Sequence, residues 1–198
     1  MSWYQRYRKY KQLVKEIVFE QSELDYIETI IEEIKPELAK LERCYLQKNN
    51  FNFDDIPASV NIPPTDSTGI IKMKQQPESK IKHFARMYKM IAKKAHPDKL
   101  INRPRTEEVI EKEEMFAAAT TAYKSSDWAK FLEIAVKLEI RPISLTLLIS
   151  EIPKETEKLK EKKEKLKQTF GWQLYECGED EACKEKLIRK VMNQVYNV

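Results

Sequence analysis

Two apolar seams with coiled-coil spacing fill the first 48 residues and limit what this chain can fold into. The first seam has intervals of four and three residues and consists of Trp3, Tyr7, Tyr10, Val14 and Ile17. The second has intervals of three and four residues and consists of Leu24, Ile27, Ile31, Ile34, Leu38, Leu41 and Tyr45. This spacing places the side chains on one face of a helix, where they need another surface to pack against.

Pro36 lies inside the second seam and predicts either a kink in one long helix or the start of a new helix. Two interpretations of residues 1–48 stay open. They form a long helix or helical hairpin packed on the rest of the chain, or a coiled-coil arm for a second copy or a larger assembly. We expect the seams to pack with the helix that follows Pro142 as an antiparallel bundle.

Glycine is scarce, with three residues among 198. β-Sandwiches and nucleotide-binding α/β folds use glycine in turns and phosphate loops, so the composition predicts an all-α fold. Four segments follow from the composition. They are the N-terminal helix or hairpin at 1–48, a proline-containing linker at 49–78, a compact set of helices at 79–140, and a C-terminal part at 141–198.

The C-terminal part is predicted to contain a long charged helix and a terminal helix. The charged helix runs from Pro142 to Thr169 on a thin seam of Leu145, Leu148, Ile152, Leu159 and Leu166. Phe170-Gly171-Trp172 is expected to end it, and the terminal helix is expected from Asp180 to Val195.

Charge and cysteine content exclude several functions. The net charge is +4, from 36 basic and 32 acidic residues, so it gives no reason to expect nucleic acid as a partner. No run of about 18 apolar residues occurs, so we expect no membrane as a partner, and residues 1–6 lack the apolar core of a signal peptide. We expect Cys44, Cys177 and Cys183 to be free thiols in the reducing cytoplasm, although oxidation could join the last two.

A helix predicted from Lys80 to about Ala95 has two distinct faces. The apolar face is formed by Ile81, Phe84, Tyr88, Ile91, Ala92 and Ala95. A basic row on another face is formed by Lys82, Arg86, Lys89 and Lys93. Like charges at this spacing repel each other, and an acidic partner surface would relieve that repulsion.

The tripeptide His96-Pro97-Asp98 follows this helix and is predicted to be a stiff, exposed turn, because the proline disfavours helical geometry before it. A second helix is predicted after Pro104, with Thr106 as its N-cap and acidic residues in its first turn. Its inner face is formed by Val109, Phe116, Ala119 and Tyr123.

With these residues in this register, the chain resembles the J-domain (DnaJ-like) family over about residues 78–126. Family members carry a tyrosine eight residues before the histidine, an aliphatic residue five before it and an alanine four before it. Tyr88, Ile91 and Ala92 hold those positions here. A basic residue follows the tripeptide, here Lys99, and the next helix carries Phe-x5-Ala-Tyr, here Phe116 and Ala122-Tyr123.

The resemblance implies an antiparallel helix pair joined by the His96-Pro97-Asp98 loop. Its core would contain Phe84, Tyr88, Ile91, Ala92, Phe116, Ala119 and Tyr123. The resemblance also implies that six basic side chains contact the acidic nucleotide-binding domain of a seventy-kilodalton heat-shock chaperone. They are Lys82, Arg86, Lys89, Lys93, Lys94 and Lys99. The tripeptide would trigger ATP hydrolysis by that partner, so the chain would be an activator and not an enzyme, with no cofactor or catalytic residue of its own.

The chain departs from the family pattern in ways that bear on activation. Met90 stands where many members have a second basic residue, and residues 60–77 show no counterpart of the short first helix. In lacking these features, the chain is similar to J-proteins of large viruses and phages. This similarity implies host cytoplasm or a virion as the location.

Three other interpretations compete with the co-chaperone. A metal site at His96 and Asp98 would need further ligands, and His83 is the only other histidine. Nucleic-acid binding is disfavoured because Phe84 and Tyr88 lie on the apolar face, away from the basic row. The third is a structural subunit of a large assembly that uses a degenerate J-fold and helical arms as a scaffold.

Overall fold

A computed structural model describes residues 1–49, 78–101 and 103–196, and over these ranges the chain is helical without a strand. The all-α prediction is therefore confirmed. The helices are α1 (Trp3–Lys48), α2 (Glu78–Ala95), α3 (Pro97–Leu100), α4 (Glu107–Ser125), α5 (Trp128–Lys137), α6 (Leu145–Lys167), α7 (Phe170–Cys177) and α8 (Glu181–Val191), followed by a π-helical turn at Met192–Tyr196. Nearly all of the linker predicted at 49–78, and the region where a short first helix was sought, lie outside the described residues.

The seams at the N-terminus form one long helix and not a hairpin. Pro36 lies inside α1, so of the two alternatives for this residue the structure has the one long helix and not the start of a new one. An internal proline costs about 3 kcal/mol. Ile34 and Leu38, on either side of it, both pack in a cluster with Leu174 and Leu187, and this burial offsets the cost.

The helices form two compact units, and both α1 and α6 contribute to each of them. The first unit contains residues 1–22 and the described part of 72–159. Its core joins the start of α1 to α2, α4, α5 and the first half of α6. The buried side chains of this core include Tyr10, Val14, Ile17, Phe84, Met87, Ile91, Ala119, Phe131, Leu132, Leu148 and Ile152. Burial raises the pKa of the Tyr10 phenol.

The second unit contains the rest of α1, the end of α6, and α7 and α8. The charged helix α6 ends at Lys167, two residues before the predicted end at Thr169, but Phe170-Gly171-Trp172 begins a further helix, α7, that was not predicted. A Cβ on Gly171 would lie 3.2 Å from the Ile31 side chain, so the glycine allows close helix packing here and does not break a helix. The Thr169 hydroxyl caps α7 by accepting a hydrogen bond from the Trp172 N–H at 3.4 Å.

Contacts within the second unit also fix the direction of its helices. Lys162 donates to Glu28 at 2.6 Å, and further along both segments Gly171 lies against Ile31. The Tyr175 hydroxyl, four residues after Gly171, lies 3.1 Å from the Tyr26 hydroxyl, five residues before Ile31, so α7 runs antiparallel to this part of α1. The antiparallel packing of the N-terminal seams with the helix after Pro142 stays a prediction.

Cys177 and Cys183 form a disulfide with a sulfur–sulfur distance of 2.03 Å, so the expectation of free thiols is wrong for this pair. The bridge joins the end of α7 to the first turn of α8. Gly178, with a φ of +53°, caps α7, and the Asp180 carboxylate accepts hydrogen bonds from the N–H groups of Ala182 and Cys183. Such bridges persist in oxidising compartments, so this one does not support a reducing location. Cys44 is exposed and unbridged.

Replacement of Cys177 and Cys183 together by serine is expected to lower the free energy of unfolding of the second unit by about 2 kcal/mol, the entropic value for a short closed loop. Thermal melting under non-reducing conditions, which keep the wild-type bridge formed, measures the change. Cys44→Ser, on an exposed thiol, is the control and should shift stability by less than about 0.5 kcal/mol. Equal melting of the double variant and the wild type would show that packing alone holds α7 against α8.

Candidate functional site

The helices α2 and α4 pack against each other through an aromatic cluster around Tyr88. The Tyr88 ring stacks on Tyr123 at 5.0 Å and lies 6.1 Å from Phe116. Its hydroxyl is 3.1 Å from the Thr120 hydroxyl. Tyr88 lies within α2 and meets Tyr123 near the end of α4. His96 lies just after α2 and meets Phe116, which is closer to the start of α4, so the two helices run in opposite directions.

The apolar face of α2 lies where the periodicity places it. Phe84, Ile91 and Ala95 are buried, and Tyr88 and Ala92 are half-buried. On α4, Ala119 is buried while Phe116 and Tyr123 are half-buried. Phe84 stacks on Trp128 at 4.1 Å, so α5 closes the other side of this core. The face thus holds α2 in place and leaves the side that carries Lys82, Arg86, Lys89 and Lys93 exposed.

The tripeptide begins a short helix and is not an open turn. The N–H of His96 donates to Ala92 at 3.0 Å, which ends α2 as predicted. The backbone of His96 is extended, as expected before proline, and Pro97 is the first residue of α3. The Nδ1 atom of His96 accepts a hydrogen bond from the Asp98 N–H at 3.1 Å. Histidine therefore caps the helix that carries the aspartate, and proline fixes the bend between them.

The side chains of His96, Pro97, Asp98 and Lys99 are all exposed, while Leu100 is buried and anchors the end of α3. No hydrogen bond or ion pair from another described residue holds the Asp98 carboxylate. The His96 ring meets Phe116 edge-on at 4.9 Å. The His96 side chain, although exposed, therefore also packs on α4. The result is an exposed carboxylate beside an imidazole with a fixed orientation.

The basic row follows the outer side of α2. Lys82, Arg86, Lys89 and Lys93 are exposed. Within the described ranges, no carboxylate pairs with Arg86, Lys89 or Lys93, so their charges repel each other without compensation. This leaves a positive strip that runs along α2 toward the tripeptide.

Lys94 differs from its neighbours because it already has an acidic partner. Its Nζ atom lies 3.7 Å from a carboxylate oxygen of Glu139. Glu139 follows α5 and has a φ of +51°, a conformation that costs free energy for a residue with a side chain. Local sequence patterns do not predict this pair, since the two residues are 45 positions apart and the bend after α5 brings them together.

His83 and Met87 are two buried residues of α2 that the predicted apolar face omitted. Met87 lies three residues after Phe84 and four before Ile91, so the helical period could have found it. His83 is buried, and no described residue hydrogen-bonds to its Nε2 atom; burial, with a contribution from Arg86, lowers its pKa. Over the described residues, no group of three or more His, Cys, Asp or Glu side chains could hold a metal ion.

Comparisons of the chain with protein-family models, with curated proteins and with solved structures found no match. In the part of the chain that the structure describes, no helix is both long enough and apolar enough to cross a membrane.

Proposed function

We propose that this chain is a divergent J-domain co-chaperone that stimulates ATP hydrolysis by a seventy-kilodalton heat-shock chaperone. One observation carries the proposal: His96-Pro97-Asp98 is exposed at the end of a basic helix whose other face packs on α4. The matched residues Tyr88, Phe116 and Tyr123 lie in contact and support the same assignment. An activator of this kind acts where its chaperone is, which makes the cytoplasm, or host cytoplasm for a viral protein, the proposed location.

The geometry gives each part of the site a physical role. The His96 imidazole, held by Phe116 and by the Asp98 N–H, fixes the backbone that carries the carboxylate. That carboxylate is available for a cation on the chaperone, where a charge-assisted hydrogen bond is stronger than a neutral one. The basic strip of Arg86, Lys89 and Lys93 would steer the encounter with an acidic surface.

The direct test is ATP turnover by a heat-shock chaperone with and without the full chain. We expect the chain to raise the single-turnover rate of ATP hydrolysis in proportion to its concentration until saturation. A well-characterised J-domain protein on the same chaperone serves as the positive control. If the control stimulates each chaperone tried and this chain stimulates none, the structural-subunit interpretation replaces the proposal.

Reversal of two charges on the basic strip is expected to slow association with the chaperone. Lys89→Glu with Lys93→Glu should lower the association rate constant by about tenfold at low salt, because exposed charges mainly steer the encounter. The difference from wild type should shrink as salt is raised. Stopped-flow association at several salt concentrations measures both effects.

Lys154→Glu with Lys158→Glu is the matched control for that variant, since it makes the same charge change at exposed positions of α6. It should associate at a rate close to that of the wild type. If both double variants slow association equally, net charge and not the strip on α2 steers the encounter.

A further inference from the structure

The exposed side of the first part of α1 carries a row of aromatic and basic side chains. The row consists of Tyr4, Arg8, Lys11, Lys15 and Phe19, at intervals of four, three, four and four residues. At 100° per residue these side chains fall within about 80° of each other, and at 1.5 Å per residue the row is about 22 Å long. Tyr4 and Phe19, at its two ends, are 70% and 59% exposed.

This row has no part in the core of the first unit. The face of α1 that packs there carries Tyr10, Val14 and Ile17, which are all buried. Folding therefore gives no reason for a phenylalanine that leaves more than half of its surface in water. A tyrosine and a phenylalanine kept exposed at both ends of a charged row need another explanation.

The charge of this region has one sign. Residues 1–15 contain five basic residues, Arg6, Arg8, Lys9, Lys11 and Lys15, and no acidic one. Counting only described residues as partners, no carboxylate pairs with Arg8, Lys11 or Lys15, and the Lys11 ammonium lies 5.0 Å from the centre of the Tyr7 ring. On α6, by contrast, Lys154 and Lys158 are each paired with a glutamate three residues before. The row is thus a patch of uncompensated positive charge.

We propose that this row is a docking surface for an anionic lipid bilayer. A straight row of this length matches a flat surface. Arginine and lysine are attracted to anionic headgroups, and aromatic rings favour the interface between headgroups and acyl chains. The proposal departs from the expectation, drawn from the sequence, that a membrane is not a partner. Surface binding needs no membrane-spanning helix.

Single-stranded nucleic acid is the main alternative for a basic surface with aromatic rings, and the geometry disfavours it. Stacking uses rings that meet successive bases, whereas Tyr4 and Phe19 lie at opposite ends of the row. The phenylalanine also offers no group that could hydrogen-bond to a base edge. The proposal does not depend on the co-chaperone function, because the row lies on α1 and the tripeptide follows α2.

Sedimentation with lipid vesicles tests the proposal on the full chain. We expect the wild type to bind vesicles of phosphatidylcholine with about one-third phosphatidylserine, and to bind pure phosphatidylcholine vesicles at least about tenfold more weakly. Binding should fall as salt is raised. Arg8→Gln, Lys11→Gln and Lys15→Gln together should lower the partition coefficient on the anionic vesicles by at least about tenfold. Phe19→Ser should lower it several-fold and leave its salt dependence unchanged.

The matched control carries Lys154→Gln, Lys158→Gln and Lys162→Gln, which remove the same charge from α6, and it should bind like the wild type. If the triple variant of the row loses its helical signal, Arg8→Gln and Lys15→Gln are tested singly, and each should weaken binding several-fold. Equal binding to charged and neutral vesicles, or loss of binding in the control alone, would overturn the proposal. The proposal is also overturned if a single-stranded oligonucleotide binds the wild type more tightly than the vesicles do and displaces them. The row would then be a nucleic-acid surface.

Discussion

His96→Gln and Asp98→Asn are each expected to reduce the stimulation of chaperone ATP hydrolysis to the basal rate. The asparagine keeps the shape of the aspartate but removes the charge that would bind a cation on the chaperone. The glutamine removes the imidazole that caps α3 at Nδ1 and packs against Phe116. Single-turnover ATP hydrolysis across a range of variant concentrations separates weaker binding from lost activation, because only lost activation persists at saturation.

Neither substitution should unfold the protein, and this is what makes the test informative. The Asp98 side chain is exposed, so its replacement should change the free energy of unfolding by less than about 0.5 kcal/mol. Loss of the His96 cap and ring contact should cost about 1 kcal/mol. Asp25→Asn, at an exposed position of α1, is the control and should stimulate like the wild type. Wild-type stimulation by both loop variants would show that the tripeptide is not the activating element.

Helix ends set by residues close in sequence could be predicted well. Pro97 fixes the end of α2 at Ala95, and Thr106 precedes the first residue of α4, although its side chain makes no capping hydrogen bond. Asp127 caps α5 by accepting a hydrogen bond from the Lys130 N–H at 3.0 Å, and α5 starts at the next residue, Trp128. A proline or a capping residue acts on its own turn, so its effect is visible in a short window of sequence.

Features that depend on tertiary packing were left open or missed by reasoning from local sequence. Gly171 indicates a break if only its neighbours are considered, but its lack of a side chain is required by Ile31, which lies 140 positions earlier. The bridge between Cys177 and Cys183 forms because α7 and α8 pack together, and spacing alone does not reveal that. Pro36 is tolerated because α7 and α8 cover the residues around it.

The candidate site shows the same division. The exposure of the tripeptide and the basic row on α2 follow from local spacing, and both lie where the pattern places them. The ion pair between Lys94 and Glu139 and the contact of His96 with Phe116 depend on how α2, α4 and α5 meet. These long-range contacts decide which basic side chains are uncompensated and how firmly the histidine is held, and helical periodicity carries no information about either.

Deletion of residues 1–50 is expected to prevent the rest of the chain from folding cooperatively. The deleted helix supplies Tyr10, Val14, Ile17, Leu24, Ile27 and Leu46 to the buried apolar set. Each buried side chain of this size stabilises the fold by about 1.5 to 3 kcal/mol, so their sum matches or exceeds a typical domain stability of about 5 to 15 kcal/mol. The loss affects both units, because the first three residues lie in one and the last three in the other. Thermal melting by circular dichroism, together with the mass in solution, measures the result.

A pair of point substitutions separates packing from self-association as the reason for this loss. Ile17→Ala, at a residue 2% exposed, should lower the free energy of unfolding by about 2 to 5 kcal/mol in a chain of unchanged mass. Gln12→Ala, at an exposed position of the same helix, should change it by less than about 0.5 kcal/mol. If the truncated chain instead melts like the full one and only its oligomeric state changes, α1 is an arm for a second copy or another protein. The burial of Tyr10 and Ile17 beside Phe84 and Leu148 in one core favours loss of folding in the monomer.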